Sequence, residues 1–266
     1  MEIKLSVIIP SYWDVLLQRT IDSLLDNSEL GDELEIIAIL DGYWPDPPLK
    51  DDSRLKVVHL GKNRGMRGAI NAGAAVSTGE YLMRTDEHAA FGEGYDRILT
   101  SQTEDNWIVT PRRFFLDPVK WEVMDISPVD YMKLKIVNYS RGQKFSGVTW
   151  DRPDRKDIMI DETMAMQGSC WVMKRSWWDK VIGELQSEGY GTHYQDSHEM
   201  QFKTWKAGGK LMVNKNTWHA HKHRSFPRTH GYGGDLADKS FAYALSVWRD
   251  YFEKEIEPEW KEKQEI

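Results

Sequence analysis

The stretch LSVIIP at residues 5–10 predicts a buried β-strand, because a nearly continuous apolar run stops at a proline. Outward from it, strands and helices alternate along the first half. Strands are predicted at residues 5–10, 34–40, 55–60 and 81–85, and helices at residues 15–25 and 68–77. This alternation is typical of a mostly parallel, Rossmann-like sheet with helices on both faces. The predicted fold class is therefore α/β.

Polar clusters follow three of these predicted strands. They read Pro10-Ser11-Tyr12, Asp41-Gly42 and Asp86-Glu87-His88. In open α/β sheets ligands bind at the carboxyl ends of the strands. We therefore expect the three clusters to meet at one edge of the sheet.

The composition is that of an ordinary globular protein, since 40% hydrophobic and 29% charged residues argue against both disorder and a membrane protein. A length of 266 residues suits one large α/β domain better than two. We expect a single domain over residues 1–266, made of a first half (1–111), a second half (112–235) and a C-terminal helix (236–266). The net charge of −7 argues against a wholly basic nucleic-acid-binding surface.

Residues 1–10 show no basic segment followed by an apolar stretch and a cleavage site. No uninterrupted apolar stretch reaches the roughly 20 residues that cross a bilayer. The single cysteine, Cys170, excludes an internal disulfide and fits a reducing compartment. We therefore expect a cytoplasmic location, in the host cytoplasm if the protein is viral.

The second half is less regular. A charged, extended stretch at 114–162 precedes a strand-like segment at 168–173, a helix at 197–207, a strand at 211–213 and a C-terminal amphipathic helix. The helix at 197–207 is expected to end at the glycine pair Gly208-Gly209. The C-terminal helix carries Phe241, Leu245, Trp248 and Phe252 on one stripe.

Asp86 and His88 lie two residues apart just after the predicted strand at 81–85, so extended backbone would project both side chains the same way. A divalent ion that bridges phosphates prefers hard oxygen ligands, and Mn²⁺ or another first-row ion also accepts imidazole. The pair therefore predicts a metal site. The alternative is that Asp86 caps a turn and His88 is a surface residue.

His219, His221 and His223 alternate along a predicted strand and would share one face of it. Histidine is the commonest transition-metal ligand. Because the Cys/His spacing of a structural zinc site is missing, these histidines are better interpreted as partial ligands of a site completed from elsewhere. Solvent-facing histidines on an edge strand are the alternative for at least one of the three.

The first half resembles the GT-A glycosyltransferases of glycosyltransferase family 2. SVIIPSY at residues 6–12 is similar to the family's opening strand, and residues 63–73 with 77–82 resemble the segment that leads into its D-x-D metal motif. Here that motif reads Asp86-Glu87-His88, and a D-x-H version is characteristic of the polypeptide N-acetylgalactosaminyltransferases. The resemblance implies a nucleotide-diphospho-sugar transferase with the GT-A fold.

The second half resembles these same N-acetylgalactosaminyltransferases. Residues 166–171 are similar to their glycine-containing hairpin beside the donor sugar, 196–209 to their acidic helix, and 219–224 to the segment whose histidine completes the metal shell. On this resemblance His221 joins Asp86 and His88 as the third metal ligand, and Arg224 contacts the diphosphate. The resemblance covers about residues 3–235. It implies that residues 1–111 form a nucleotide-binding half and that residues 112–235 form an acceptor- and metal-completing half.

The resemblance also implies a UDP-sugar as donor and a divalent ion such as Mn²⁺ as cofactor. The expected donor-binding residues are Pro10, Ser11, Tyr12, Asp41, Arg67, Asp86, Gly168 and Arg224. Asp41 is expected to accept the uracil N3–H, although Leu40 replaces the acid that family 2 usually has before it.

The expected catalytic residues are Asp196 and Glu199. In an inverting enzyme a carboxylate such as Asp196 would deprotonate the acceptor hydroxyl, whereas a retaining enzyme needs no such base. The family's acid pair reads Asp196-Ser197 here, and this loss favours retention by analogy. The alternative is a helix capping box of Asp196 and Glu199, in which neither does chemistry.

The expected acceptor is a hydroxymethylated base in DNA, and a protein or a glycan is the alternative. Basic and aromatic residues between Arg112 and Arg155 motivate the DNA acceptor, which would be a viral DNA modification. A non-catalytic sugar-nucleotide-binding module is the rival hypothesis. A nucleotidyltransferase is disfavoured, because SYWD at residues 11–14 offers no glycine-rich loop after the first strand.

Overall fold

The computed structural model describes residues 2–223 and 234–265. Its strands are β1 (Leu5–Ser11), β2 (Leu34–Asp41), β3 (Leu55–Leu60), β4 (Tyr81–Thr85), β5 (Ala89–Phe91), β6 (Trp107–Asp117), β7 (Glu122–Val123), β8 (Met132–Tyr139), β9 (Gly142–Thr149), β10 (Ile160–Glu162), β11 (Cys170–Lys174) and β12 (Lys210–His221). Its helices are α1 (Leu17–Asp26), α2 (Gly65–Val76), α3 (Tyr95–Ser101), α4 (Arg175–Trp177), α5 (Asp196–Lys206), α6 (Asp235–Tyr251) and α7 (Glu257–Glu265).

One mixed sheet forms the centre of the molecule, in the order β10-β12-β6-β11-β4-β1-β2-β3. The four strands β3, β2, β1 and β4 run parallel to one another, as the alternation of strands and helices predicts. β11 runs antiparallel between β4 and β6, and β12 is parallel to β6. The α/β fold class is confirmed.

Helices cover both faces of the sheet because successive side chains of β1 point to opposite sides. Leu5, Val7 and Ile9 pack with α1, and Ile8 packs with α2 on the other face. All four side chains are fully buried, as expected of a central strand in a parallel sheet. α2 approaches closely because a Cβ at Gly73 would clash with Ile8.

The charged stretch at 114–162 contains structure that the sequence analysis did not predict. β8 and β9 form a separate two-stranded antiparallel sheet. Phe145 of β9 packs against Phe252, which follows α6, with ring centroids 5.5 Å apart. The C-terminal helices therefore belong to a third apolar cluster with the hairpin and α5.

Two of the boundaries expected within the chain fall inside secondary-structure elements. A boundary at 111/112 falls inside β6, whose pairing with β12 continues through Arg112 and Arg113. The expected start of the C-terminal helix at 236 lies one residue inside α6. No helix among the described residues is long and apolar enough to span a membrane.

Candidate metal centre

A cluster of Asp and His side chains lies at the carboxyl edge of the sheet. The end of β4 and the pairing of β5 with β12 bring its members together. β4 ends at Thr85, so Asp86 and His88 follow directly, and β5 begins at Ala89. β5 pairs antiparallel with β12, which sets His221 opposite Ala89. This pairing brings the end of β12 to the D-x-H segment.

Asp86, His88 and His221 direct ligand atoms at one another. Nε2 of His221 lies 2.9 Å and Nε2 of His88 lies 4.0 Å from Oδ2 of Asp86. The three ligand atoms lie within 4.8 Å of one another, and both imidazoles are buried. One carboxylate oxygen and two imidazole nitrogens are a donor set that suits a first-row divalent ion. The residues present therefore fit a metal ion.

Asp86 is held as a carboxylate. Burial raises its pKa, but the Arg84 guanidinium and the hydrogen bond from His221 outweigh burial and hold the pKa well below the ordinary value. A nitrogen of Arg84 lies 2.5 Å from Oδ1 of Asp86, which leaves Oδ2 facing the histidines. Burial lowers the pKa of His221, which favours the neutral form of its imidazole. Both shifts therefore favour the protonation state that metal binding requires.

The three alternating histidines have different surroundings. His219 is fully buried, and its Nε2 lies 3.1 Å from Oγ of Ser169. His223 packs against the rings of Phe115 and His221. Of the three, His221 is the one whose Nε2 faces Asp86.

Asp14 contacts the ring nitrogen of His88 that is not the one directed at Asp86. The sequence analysis did not identify Asp14. Its Oδ2 lies 3.0 Å from Nδ1 of His88, and the two side chains are 8% and 6% exposed. A carboxylate on the outer ring nitrogen fixes the tautomer and orientation of a ligating histidine. Its position in the sequence could have identified it, because Asp14 follows the end of β1 at the same sheet edge.

The donor-binding residues expected at the end of β1 lie at this edge. Oγ of Ser11 hydrogen-bonds the hydroxyl of Tyr43, and the backbone N–H of Tyr12 donates to Glu87 at 2.9 Å. Pro10 precedes them as a paired residue of β1.

Asp41 has a structural role in its loop. Its carboxylate accepts the backbone N–H groups of Arg64 and Gly65 at 2.6 and 2.8 Å. Burial raises the pKa of Asp41, and these two hydrogen bonds oppose that effect. Asp41 therefore fixes the start of α2, and its contact with the uracil N3–H stays a prediction.

Arg67 and Glu199 were expected at the donor and catalytic sites, and this expectation needs correction. The two form an ion pair in which Arg67 is 0% and Glu199 is 1% exposed. The guanidinium also donates to the carbonyl of Tyr194, and Lys203 lies 2.7 Å from the second oxygen of Glu199. Neither side chain is exposed to meet a substrate, because both lie inside the core between α2 and α5.

Asp196 is the first residue of α5, and it does not form the capping box that was the alternative. The N-cap is Gln195, with a left-handed φ of 60°, and no side chain caps this helix. Glu199 bonds Arg67 instead of the helix start. Asp196 is partly exposed, in contrast to Glu199.

Gly168 lies beside the start of α5, where a Cβ would stand 3.5 Å from Oγ of Ser197. Its carbonyl accepts a hydrogen bond from Arg84, which also holds Asp86. The expected glycine hairpin thus contacts the metal cluster through Arg84. Arg224, the expected diphosphate contact, lies outside the described residues.

The fold is that of a GT-A protein, and the cluster is a candidate carboxylate–histidine metal centre. The sequence model for glycosyl transferase family 2 matches residues 6–182. The chain belongs to glycosyl transferase family 2.

Individual relatives agree with this membership. The chain is 24% identical to mouse polypeptide N-acetylgalactosaminyltransferase 4 over 94% of its own length, and 26% identical to mouse polypeptide N-acetylgalactosaminyltransferase 3 over 92%. It spans only 44% and 40% of those two proteins. The crystal structure of GalNAc-T7 with UDP, GalNAc and Mn²⁺ shares the fold, with a TM-score of 0.69 and 18% identity over 95% of this chain and 50% of that one.

Proposed function

We propose that this protein is a metal-dependent glycosyltransferase that transfers a sugar from a UDP-sugar to an acceptor hydroxyl. The observation that carries the proposal is the convergence of Asp86 Oδ2 with the Nε2 atoms of His88 and His221. The similarity to a GalNAc-T7 structure that holds UDP and Mn²⁺ supports the same donor and ion here.

The chemistry requires stabilisation of negative charge. A sugar leaves a nucleoside diphosphate through an oxocarbenium-like state, so charge accumulates on the leaving diphosphate. When bound at this site, a divalent ion such as Mn²⁺ supplies Lewis-acid stabilisation of that charge. Asp86, His88 and His221 hold the ion, while Arg84 and Asp14 fix the orientation of Asp86 and His88. Arg224 is the proposed additional contact to the diphosphate.

Of the two expected catalytic residues, only Asp196 is proposed as a catalytic base, because Glu199 is buried in its ion pair with Arg67. In an inverting reaction Asp196 would accept the proton of the acceptor hydroxyl. In a retaining reaction Asp196 has no such role, and the loss of the second acid at Ser197 supports this course by analogy.

We propose a protein or glycan as the acceptor, because the similar proteins are polypeptide N-acetylgalactosaminyltransferases. A DNA acceptor has less support. Arg112, Arg152 and Arg155 of the basic stretch lie 2.7, 2.8 and 2.5 Å from carboxylate oxygens of Asp130, Asp154 and Asp161. These pairs reduce the positive charge that phosphate binding would need.

A panel of UDP-sugars with Mn²⁺ tests the proposal, with mass spectrometry on peptide, glycan and hydroxymethylated-DNA acceptors. We expect transfer by the wild-type protein and none by Asp86→Ala or His221→Ala. Folded wild-type protein that is inert to every UDP-sugar would sink the proposal. Tight UDP-sugar binding by calorimetry without any product would favour the non-catalytic module instead.

The single-domain organisation and the cytoplasmic location are part of the same proposal. Strands from both halves alternate in one sheet, since β11 lies between β4 and β6. Cys170 is buried and free, which suits a reducing compartment.

A further inference from the structure

Arg113 shares a face of the sheet with the metal-binding end of β12. β6 and β12 are parallel, with Arg113 in register with His219 and Phe115 in register with His221. Side chains two residues apart on a strand point the same way. Arg113 and Phe115 therefore stand on the face that carries His219 and His221, and Phe115 also contacts His223 at 5.2 Å between ring centroids.

The Arg113 guanidinium has no anionic partner in the described part of the chain. Its Nε is buried without a hydrogen bond, and burial is the one cause of its shifted pKa, which falls to about 10. The group is still a cation at neutral pH. The charged partners of three other arginines show the contrast: Arg67 pairs with Glu199, Arg84 with Asp86, and Arg112 with Asp130.

A desolvated cation without a counter-charge is unfavourable, so a folded protein normally pairs it. The Arg113 guanidinium carbon lies 5.7 Å from the ring centroid of Phe115. His219, His221 and His223 all have lowered pKa values, first because of burial and in part because of the Arg113 charge. Residues 2–223 and 234–265 supply no anion beside the guanidinium, which leaves it available to a ligand.

We propose that Arg113 binds an anionic oxygen of the donor diphosphate beside the metal ion. The assignment rests on the proposed function, because the diphosphate is the anion that a metal at Asp86, His88 and His221 would hold. Arginine suits this task, since its planar fork donates two parallel hydrogen bonds to phosphate oxygens. The charge of Arg113 would then stabilise both bound UDP and the departing diphosphate.

Dissociation constants for UDP and for uridine, measured by calorimetry with Mn²⁺ present, test this assignment. We expect Arg113→Met to weaken UDP binding about 10- to 100-fold and to leave uridine binding unchanged, because uridine lacks the phosphates. Arg113→Lys keeps the charge and should recover part of the UDP affinity. Arg112→Met is the matched control, because the adjacent Arg112 faces the other way and pairs with Asp130.

The outcomes separate the assignment from the proposed function. UDP affinity equal to wild type in Arg113→Met would overturn the assignment while the metal-dependent transferase stands. Unchanged UDP affinity with a raised KM for the acceptor would overturn it in favour of an acceptor carboxylate. Wild-type protein that binds no UDP would remove the proposed function, and the assignment with it.

Discussion

Two of the three ligands of the candidate metal centre are each held by a second side chain. Arg84 takes Oδ1 of Asp86 and leaves Oδ2 for the metal, and Asp14 takes Nδ1 of His88 and leaves Nε2. Such outer contacts fix the direction in which a ligand presents its lone pair. The site is therefore preorganised by residues that would not touch the ion themselves.

Asp14→Asn is expected to weaken Mn²⁺ binding about 10- to 100-fold, because an amide holds the His88 tautomer less strongly than a carboxylate. The Mn²⁺ dissociation constant measures the effect. Asp26→Asn, on the exposed last turn of α1, is the control and should bind Mn²⁺ like the wild type. Equal affinities in both variants would remove the role of Asp14.

Sequence alone brought Asp86, His88 and His221 together, because the D-x-H spacing and the resemblance both pointed to them. Asp14 and Arg113 were missed, since their roles depend on which strand lies beside which. Arg67 and Glu199 were assigned to the site on motif position, and only the packing of α2 against α5 shows that they are buried.

At the scale of elements, the ion pair between Arg67 and Glu199 joins α2 to α5. Arg67→Met would leave Glu199 buried without its strongest partner, and we expect a loss of about 3–5 kcal/mol in the free energy of unfolding. Urea denaturation measures it. Arg97→Met breaks the exposed pair with Glu29 and should change stability by less than about 1 kcal/mol. Equal effects of the two variants would contradict a structural role for Arg67.

Glu35 lies at the start of β2, at the end of the parallel strands opposite the metal cluster. It connects β2 to β1, to β3 and to the segment after α2. Burial alone would raise its pKa, but hydrogen bonds from Lys56, Ser6 and Thr78 lower it overall from the ordinary 4.5. A native pKa below the unfolded value stabilises the protein above the unfolded pKa, and this stability is lost as the pH falls through the native pKa.

Glu35→Gln should therefore lower the free energy of unfolding by about 1–3 kcal/mol at neutral pH, and the difference from wild type should shrink in acid. Denaturant unfolding at several pH values checks this. Glu33→Gln, exposed at the turn before β2, should have little effect at any pH. A Glu35→Gln deficit that is independent of pH would contradict the ionised-carboxylate explanation.

At the scale of the whole molecule, the sequence predicts the first half of the fold better than the second. β1 and β2 are apolar along almost their full length because both faces are buried. β8 and β9 escaped prediction because each has one fully buried side chain, Leu134 and Phe145. The interleaving of β11 between β4 and β6 depends on long-range pairing, which local patterns do not carry.

That interleaving predicts one cooperative unfolding transition. Because strands of both halves are neighbours in one sheet, neither half can lose its strands without exposing the other. Thermal unfolding followed by circular dichroism and by tryptophan fluorescence should give coincident curves. Two separated transitions would show that the halves fold independently.

The affinity for Mn²⁺, measured by calorimetry on four proteins, tests the metal centre most directly. Wild type and His223→Ala, a neighbour whose ring packs on Phe115, should bind Mn²⁺ with similar affinity. Asp86→Ala and His221→Ala should lose at least about 100-fold, because each removes a ligand. Wild-type affinity in either of these two variants would contradict a metal site formed by Asp86, His88 and His221.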